Sequence, residues 1–354
     1  MKIVNIILTS QNGGAEQSFI DYCNILKNRL NHQILAIVKT DAPYISKLEE
    51  LQITTKKIRN IFGYNDFFAI KNIQKILQDF DADAVICHAG RSMVLVRKAI
   101  AKIKNKKIMQ VAINHSENVK RSIGADLVLS VNKEIFYKTI DQGQAENRSF
   151  VVSNTIDFKI DNNFRSINFN KNPIVIGIIG RFEKTKNFAT IIKVIKILEK
   201  STKNFILKIA GNGDEENNLR NLARSLKIED KVEFLGWIDK ENFFNEIDIF
   251  ILPSKKETFG LVILEAMKFK KPIISSDCDG PKEILRDKID ALIFQNNPQR
   301  NVEERIVEKI LQLINDEKLA NEMVKNAYKR LQERFSFDFL QKKLQDIFGN
   351  YSIK

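Results

Sequence analysis

Leu252-Pro253-Ser254-Lys255-Lys256-Glu257-Thr258-Phe259-Gly260-Leu261-Val262-Ile263-Leu264-Glu265-Ala266-Met267 reads as one strand, turn and helix. The apolar run at 247–252 stops at a proline, which cannot extend a buried strand. A polar turn containing Gly260 follows, and then a helical pattern starts whose free N–H groups and dipole favour an anion. The same rhythm continues outward. Strand-like runs at 173–179, 205–210, 231–235, 272–275 and 291–294 each precede a turn and a helical pattern. Toward the N-terminus the runs 3–8, 34–38, 84–87, 107–111, 127–130 and 150–152 do likewise. Such alternation predicts α/β architecture, with parallel sheets covered by helices on both faces.

Between these halves, at 153–172, the periodicity lapses into a polar stretch with Asp157, Asp161, Asn162 and Asn163, which we take as a linker. A chain of 354 residues is long enough for two domains. We therefore expect two doubly wound, Rossmann-like domains, 1–165 and 166–335, facing a central cleft at the carboxyl ends of their strands. Beyond about 298 the pattern is helical only, and Phe335-Ser336-Phe337-Asp338-Phe339-Leu340 opens a last amphipathic helix.

Composition excludes several classes. The first apolar run, Ile3 to Leu8, is too short for a signal-peptide core and ends in Thr-Ser-Gln-Asn-Gly-Gly without a small-residue cleavage site. No window approaches a membrane span, so membrane contact would be peripheral. Cys23, Cys87 and Cys278 are widely spaced, which fits a reducing, cytoplasmic setting and neither a disulfide framework nor a zinc site. The net charge of +13 predicts a partner that carries phosphate. A non-enzymatic binder of nucleic acid or anionic membrane is thus one alternative. Aromatic usage argues against nucleic acid, since 24 phenylalanines outnumber six tyrosines and one tryptophan, a core-like bias.

Two carboxylates flank the helix start in the opening stretch. Glu257 in the turn can reach into a cleft, while Glu265, about one turn into the helix, suits a bidentate contact to a vicinal diol. The plain alternative is a turn residue plus a solvated helix residue, which the apolar surroundings Phe259, Leu261, Val262 and Leu264 weaken. The stretch resembles the retaining glycosyltransferases of family 4, of the two-domain GT-B fold, whose E-x7-E signature matches Glu257 to Glu265. That resemblance implies that Glu257 lies beside the donor sugar, that Glu265 holds the nucleotide ribose, and that Thr258, Phe259, Gly260 and Leu261 border the donor. It also implies that the final helix, 336–354, completes the N-terminal domain.

Further motifs follow the same pattern. Gly177-Ile178-Ile179-Gly180-Arg181-Phe182-Glu183-Lys184-Thr185-Lys186-Asn187 places Arg181 and Lys186 on a loop that can aim both cations at one diphosphate. Surface charge is the plain alternative, and the family's G-R-x4-K-N/G pattern implies the diphosphate role. Gly211 in Ala210-Gly211-Asn212-Gly213 is similar to the family's A-G-x-G turn, and also reads as a tight βα turn. Trp237 stands where the family's base pocket lies, with a core position as the alternative. In Gln11-Asn12-Gly13-Gly14-Ala15-Glu16, Gly13 and Gly14 resemble the glycine-rich first loop that borders the acceptor and donor phosphates. His115 and His88 each follow a strand, and the resemblance favours His115 as the histidine near the donor sugar.

Two Asp-x-Asp triplets invite a metal reading. Asp81-Ala82-Asp83 precedes its strand, at the wrong end of a sheet, and Asp277-Cys278-Asp279 leads into Gly280-Pro281-Lys282-Glu283-Ile284, which resembles the family's G-x-x-E-I segment. We expect no metal and no cofactor. Residues 1–150 carry +8 of the charge surplus, much of it at 97–107, where no acid occurs. That patch could face anionic lipid, or be a solvated helix face. The expected activity is retaining hexosyl transfer from a nucleotide-sugar, a UDP-sugar by preference, to a glycan or lipid-linked acceptor in cell-surface polysaccharide or lipopolysaccharide synthesis. It would proceed at the cytoplasmic side and without nucleic acid. A GT-B nucleotide-sugar epimerase is the other enzymatic alternative.

Overall fold

A computed structural model describes residues 1–11, 13–201, 203–296 and 301–351. The chain divides into two compact units, one formed by Met1–Ile156 with Phe335–Lys354, the other by Asp157–Arg334.

In the first unit, seven strands among the described residues form one parallel sheet. They are β1 (Lys2–Ile7), β2 (Gln33–Lys39), β3 (Thr54–Ile58), β4 (Ala84–His88), β5 (Met109–Asn114), β6 (Leu127–Ser130) and β7 (Ser149–Val151), in the order β3-β2-β1-β4-β5-β6-β7. Ile3 and Ile7 enter one apolar layer and Val4 and Ile6 the opposite one. Burial on both faces is why these strands read as continuous apolar runs. The exception is β3, Thr-Thr-Lys-Lys-Ile, which pairs only with β2 at the sheet edge. An edge strand can stay polar and charged, and its lysines discourage edge-to-edge association. The helix Phe337–Asn350 adds Phe337, Leu340, Leu344, Ile347 and Phe348 to this unit's core; positions 352–354 of the 336–354 segment lie outside the described residues.

The second unit holds a six-stranded parallel sheet among the described residues. Its strands are β8 (Ile174–Ile179), β9 (Phe205–Ala210), β10 (Val232–Gly236), β11 (Ile249–Leu252), β12 (Ile273–Ser276) and β13 (Leu292–Phe294), in the order β10-β9-β8-β11-β12-β13. Both sheets therefore reverse direction of winding beside their first strand, between β1 and β4 and between β8 and β11. Loops leaving the carboxyl ends of those strands diverge there and open a crevice.

The structural division falls at Ile156, earlier than the 165 read from sequence. The asparagine-rich stretch hides three anchoring phenylalanines. Phe158 and Phe164 stack edge-on against Tyr328, and Phe169 is fully buried. Polar contacts reinforce them, with Asp161 N donating to the Tyr328 hydroxyl at 2.8 Å and Ile167 N to Asn321 Oδ1 at 2.8 Å. Of the residues read as a linker, 157–172 thus belong to the C-terminal unit and 153–156 to the N-terminal one.

Candidate functional site in the C-terminal unit

The winding reversal brings together the loops after β8 and β11. Lys255 N donates to Thr185 O at 2.8 Å, joining the two backbones. Beside this link Lys186 Nζ meets Glu257 Oε2 at 2.6 Å, with side chains 23% and 16% exposed. Two residues singled out independently in the sequence, 71 positions apart, are thus one ion pair.

Each partner is placed by a specific backbone feature. Asn187, directly after Lys186, is left-handed at φ 56° and begins the helix Phe188–Leu198. Asparagine and glycine tolerate that conformation best, which explains an N/G position after the lysine. On the other loop Gly260 has φ 94° and precedes the helix Leu261–Lys268, whose first turn has neither an acid nor a side-chain cap. A Cβ on Gly260 would lie 3.3 Å from Glu257 Cγ, so Glu257 crosses the mouth of this helix. Free amides and the helix dipole attract negative charge there, and Lys186 adds a cation.

A third segment supports the Glu257 loop from beneath. Gly280 N donates to Glu257 O at 3.0 Å, and a Cβ at Gly280 would come within 2.6 Å of Phe259 N. Ser254 O accepts from Ser276 Oγ at 2.7 Å and Cys278 Sγ at 2.8 Å. Thr258 is half-buried, Phe259 and Gly260 are buried and Leu261 is half-buried, all within the same turn. Asp277 is engaged in this scaffold, its Oδ1 accepting from Asn296 N at 2.9 Å.

Glu265 is 8% exposed and pairs with Lys240 Nζ. Lys240 opens the helix Lys240–Glu246 after β10. Nothing in the sequence pointed to Lys240, because its partner is 25 residues away and no shared motif links them. Arg181 is solvent-exposed and holds Glu183 Oε1 at 3.0 Å. Its loop lies on that of Gly211: a Cβ on Gly211, at φ 120°, would overlap Gly180 O at 2.0 Å, and Phe182 N donates to Asn212 O at 2.7 Å. Gly211 is therefore required by close backbone approach, whatever it does for a ligand. Trp237 follows β10 and is 71% exposed, which rules out the core alternative.

In the N-terminal unit, taken by itself, the loop after β1 leads into the helix Gly14–Asn24. Glu16 is buried in the first turn, accepting from Gly13 N at 3.1 Å and from Thr9 Oγ1 at 2.5 Å. The Gly13 amide is thus occupied by a carboxylate, and the Glu16 charge opposes an anion at this helix start. His88 ends β4 and His115 follows β5. Their rings stack with centroids 5.2 Å apart, and His88 Nδ1 lies 3.0 Å from His115 Nε2. Burial pushes His115 down to about 4, and burial followed by the neighbouring imidazole pushes His88 well below its ordinary value. Both rings are neutral at pH 7. Asp81 and Asp83 close on Lys106 at 2.9 and 2.8 Å, a surface ion-pair cluster.

The family described as Glycosyl transferases group 1 matches residues 159–330, essentially the C-terminal unit. An uncharacterized glycosyltransferase of Haemophilus influenzae is 27% identical over 320 residues, covering 88% of this chain and 89% of the relative. A Campylobacter jejuni protein is 25% identical over 351 residues, covering 94% of each chain, and is named as an N-acetyl-D-galactosaminyltransferase acting on a diNAcBac-PP-undecaprenol-linked glycan. Other relatives are glycosyltransferases of capsular polysaccharide, lipopolysaccharide core and O-antigen biosynthesis. The crystal structure of Anabaena HepE with UDP-glucose superposes with a TM-score of 0.81 at 18% identity, covering 99% of this chain and 100% of that one. The two doubly wound units have the GT-B fold, and together with the matched domain and relatives they support a glycosyltransferase.

Proposed function

We propose that this protein is a retaining, family 4 glycosyltransferase that moves a hexose from a UDP-sugar to a glycan or lipid-linked acceptor during cell-surface polysaccharide synthesis. The observation that carries this reading is the Lys186–Glu257 pair lying across the uncapped start of the helix Leu261–Lys268. As the bond between the sugar and the diphosphate breaks, negative charge grows on the leaving oxygens. Lys186, Arg181 and the helix amides stabilise that charge from preorganised positions, each contact contributing ~3 kcal/mol. Glu257 orients the donor sugar and Glu265 holds the ribose hydroxyls. The cationic side chains take the part a divalent ion plays in metal-dependent transfer. Trp237 borders the base, Gly211 shapes the Arg181 loop, and His115 and the Gly13-Gly14 loop serve the N-terminal side of the reaction. The UDP-glucose complex of HepE supports the donor class, and the undecaprenol-linked glycan in the Campylobacter relative's name supports the acceptor class.

The two glutamates separate this reading from a merely structural one. Glu265 would contact a group that does not change during transfer, so Glu265→Gln is expected to raise donor KM with little effect on kcat. Glu257 would sit beside the reacting sugar, so Glu257→Gln is expected to lower kcat. Two glutamates that served only as ion-pair partners of Lys186 and Lys240 would instead lower the melting temperature and leave kinetics alone. Steady-state kinetics with UDP-sugars decide the matter, and unchanged kcat and KM in both variants defeat the proposal.

A further inference from the structure

The N-terminal unit carries a second surface that sugar transfer does not account for. Among the described residues, five of the nine large exposed hydrophobic side chains fall within 61–68: Ile61, Phe62, Tyr64, Phe67 and Phe68. Ile61 is 72% exposed and Phe68 70%. Single exposed apolar residues are ordinary, but a contiguous group marks a contact surface.

This group is held in place rather than loose. Asp66 is buried and starts the helix Phe67–Asp79, its carboxylate accepting from Ala69 N at 2.9 Å, Ile61 N at 2.8 Å, Phe62 N at 3.2 Å and Asn60 Nδ2 at 3.2 Å. One buried side chain therefore fixes both the loop carrying Ile61 and Phe62 and the helix start carrying Phe67 and Phe68. Ala69, Ile70, Ile73 and Leu77 turn inward, leaving Phe68, Lys71 and Lys75 on the outer face at helical spacing.

Cations surround the apolar group. Lys98 Nζ donates to Tyr64 O at 3.0 Å and to Asn65 Oδ1 at 2.7 Å, Lys102 Nζ lies 4.8 Å from the Phe67 ring centre, and the Arg121 guanidinium lies 4.3 Å from that of Tyr64. Arg59, Lys71 and Lys75 are exposed. Between positions 51 and 78 the sole acid is Asp66, consumed by the hydrogen bonds above. The basic stretch 97–107 contributes less evenly than its composition implies, because Lys106 is held by Asp81 and Asp83 and Arg97 donates to the Arg121 and Ile123 carbonyls.

We propose that Ile61, Phe62, Phe67 and Phe68 insert into the surface of an anionic lipid bilayer, with Lys71, Lys75 and Lys102 at headgroup level. Apolar tips ringed by cations match a negatively charged interface, where aromatic rings and basic side chains settle at the same depth. The charge decides against a second copy of this chain, since two such surfaces would repel. The inference goes beyond sugar transfer and is independent of it.

The test is co-sedimentation of the full chain with vesicles of phosphatidylcholine alone and of equimolar phosphatidylcholine and phosphatidylglycerol. Binding to the anionic vesicles, weakened by salt, is expected. Phe62→Ser, Phe67→Ser and Phe68→Ser together should reduce it at least tenfold, and Lys71→Gln, Lys75→Gln and Lys102→Gln should each reduce it roughly fivefold. All six sites are exposed, so melting temperatures should hold and show that the variants fold. The idea is overturned if the anionic vesicles are not bound, if the serine variant binds as well as the parent, or if neutral vesicles bind equally. It is overturned too if gel filtration shows a dimer that the serine substitutions dissolve, or if single-stranded RNA competes the chain off vesicles. Donor turnover in solution, read separately, should be unchanged by all of these substitutions.

Discussion

Gly280→Ala offers a sharp test of the proposed donor site, because it alters no charged or hydrogen-bonding side chain. Gly280 is buried and its backbone is compatible with any residue, so the added methyl acts by volume alone. Its ideal position lies 2.6 Å from Phe259 N, 2.7 Å from Phe259 Cα and 2.7 Å from Glu257 O, where ordinary contact begins at 3.4 Å. The atoms in the way are backbone, which cannot swing aside as a flexible side chain would. The turn carrying Glu257 must therefore retreat by about 0.8 Å, and a misplacement near 1 Å in a reacting constellation costs ~10² in rate. Overpacking of this kind costs about 1 to 3 kcal/mol, or a few degrees in melting temperature for a unit of this size. We expect kcat with a UDP-sugar to fall about a hundredfold while the chain stays folded. Gly349→Ala is the control: it lies in the helix Phe337–Asn350 with no atom within 4 Å of the new methyl, so kinetics should be untouched. A Gly280→Ala variant with parental kcat would show that the Glu257 turn need not be where the structure holds it, and the reasoning would fail.

Two further outcomes can be checked on the same material. Activity should survive excess EDTA, since Lys186 and Arg181 are assigned the charge-neutralising part; loss restored by added Mn²⁺ would return Asp277 and Asp279 to consideration. The His88–His115 pair should make the N-terminal unit acid-sensitive: because burial lowers the folded His115 value from 6.5 to about 4, the unfolded chain binds the proton first. Its contribution is complete above pH 6.5 and is lost as pH falls toward 4, about 2 kcal/mol between pH 7 and pH 5. Urea denaturation at those two pH values should show that loss in the parent and a smaller one in His115→Gln, and equal losses would refute it.

How far the sequence carried the fold depended on burial. A strand covered on both faces, such as β6 at Leu127–Ser130, stood out as an apolar run with the bounds the structure gives it. β3 did not, because an edge strand paired on one side can read Thr-Thr-Lys-Lys-Ile like a loop. The C-terminal unit begins earlier than its polar linker composition suggested, since three separated phenylalanines leave no periodic trace. At the candidate site, Lys186 and Glu257 were legible as motif positions, yet their contact was not: it arises from the order β8-β11, which places loops 71 residues apart side by side. Lys240 carried no local signal at all, and Gly211 carried an ambiguous one that the Gly180 carbonyl beneath it resolves as a packing requirement.

The pairing of both candidate glutamates with lysines bears on what the ion pairs are for. A half-exposed lysine on a buried carboxylate, as in Lys240–Glu265, contributes little to stability, because desolvation of the acid offsets most of the attraction. Lys186–Glu257 is more enclosed, yet replacing such a pair by apolar groups of equal volume commonly stabilises a protein. Stability is therefore a poor reason for these residues to meet. An electrostatic reason is better. Glu257 alone would repel a diphosphate from the mouth of the helix Leu261–Lys268, and Lys186 alone would leave an uncompensated cation in a partly buried turn. Paired, they hold the local charge near zero while keeping the ammonium oriented. A diphosphate arriving at the helix amides can then draw on Lys186 as its own charge grows, releasing the Glu257 carboxylate to accept from sugar hydroxyls. The same exchange would free Glu265 from Lys240 for a ribose diol. In the proposed reading, each lysine keeps its glutamate placed and solvated by charge until the donor takes over one member of the pair.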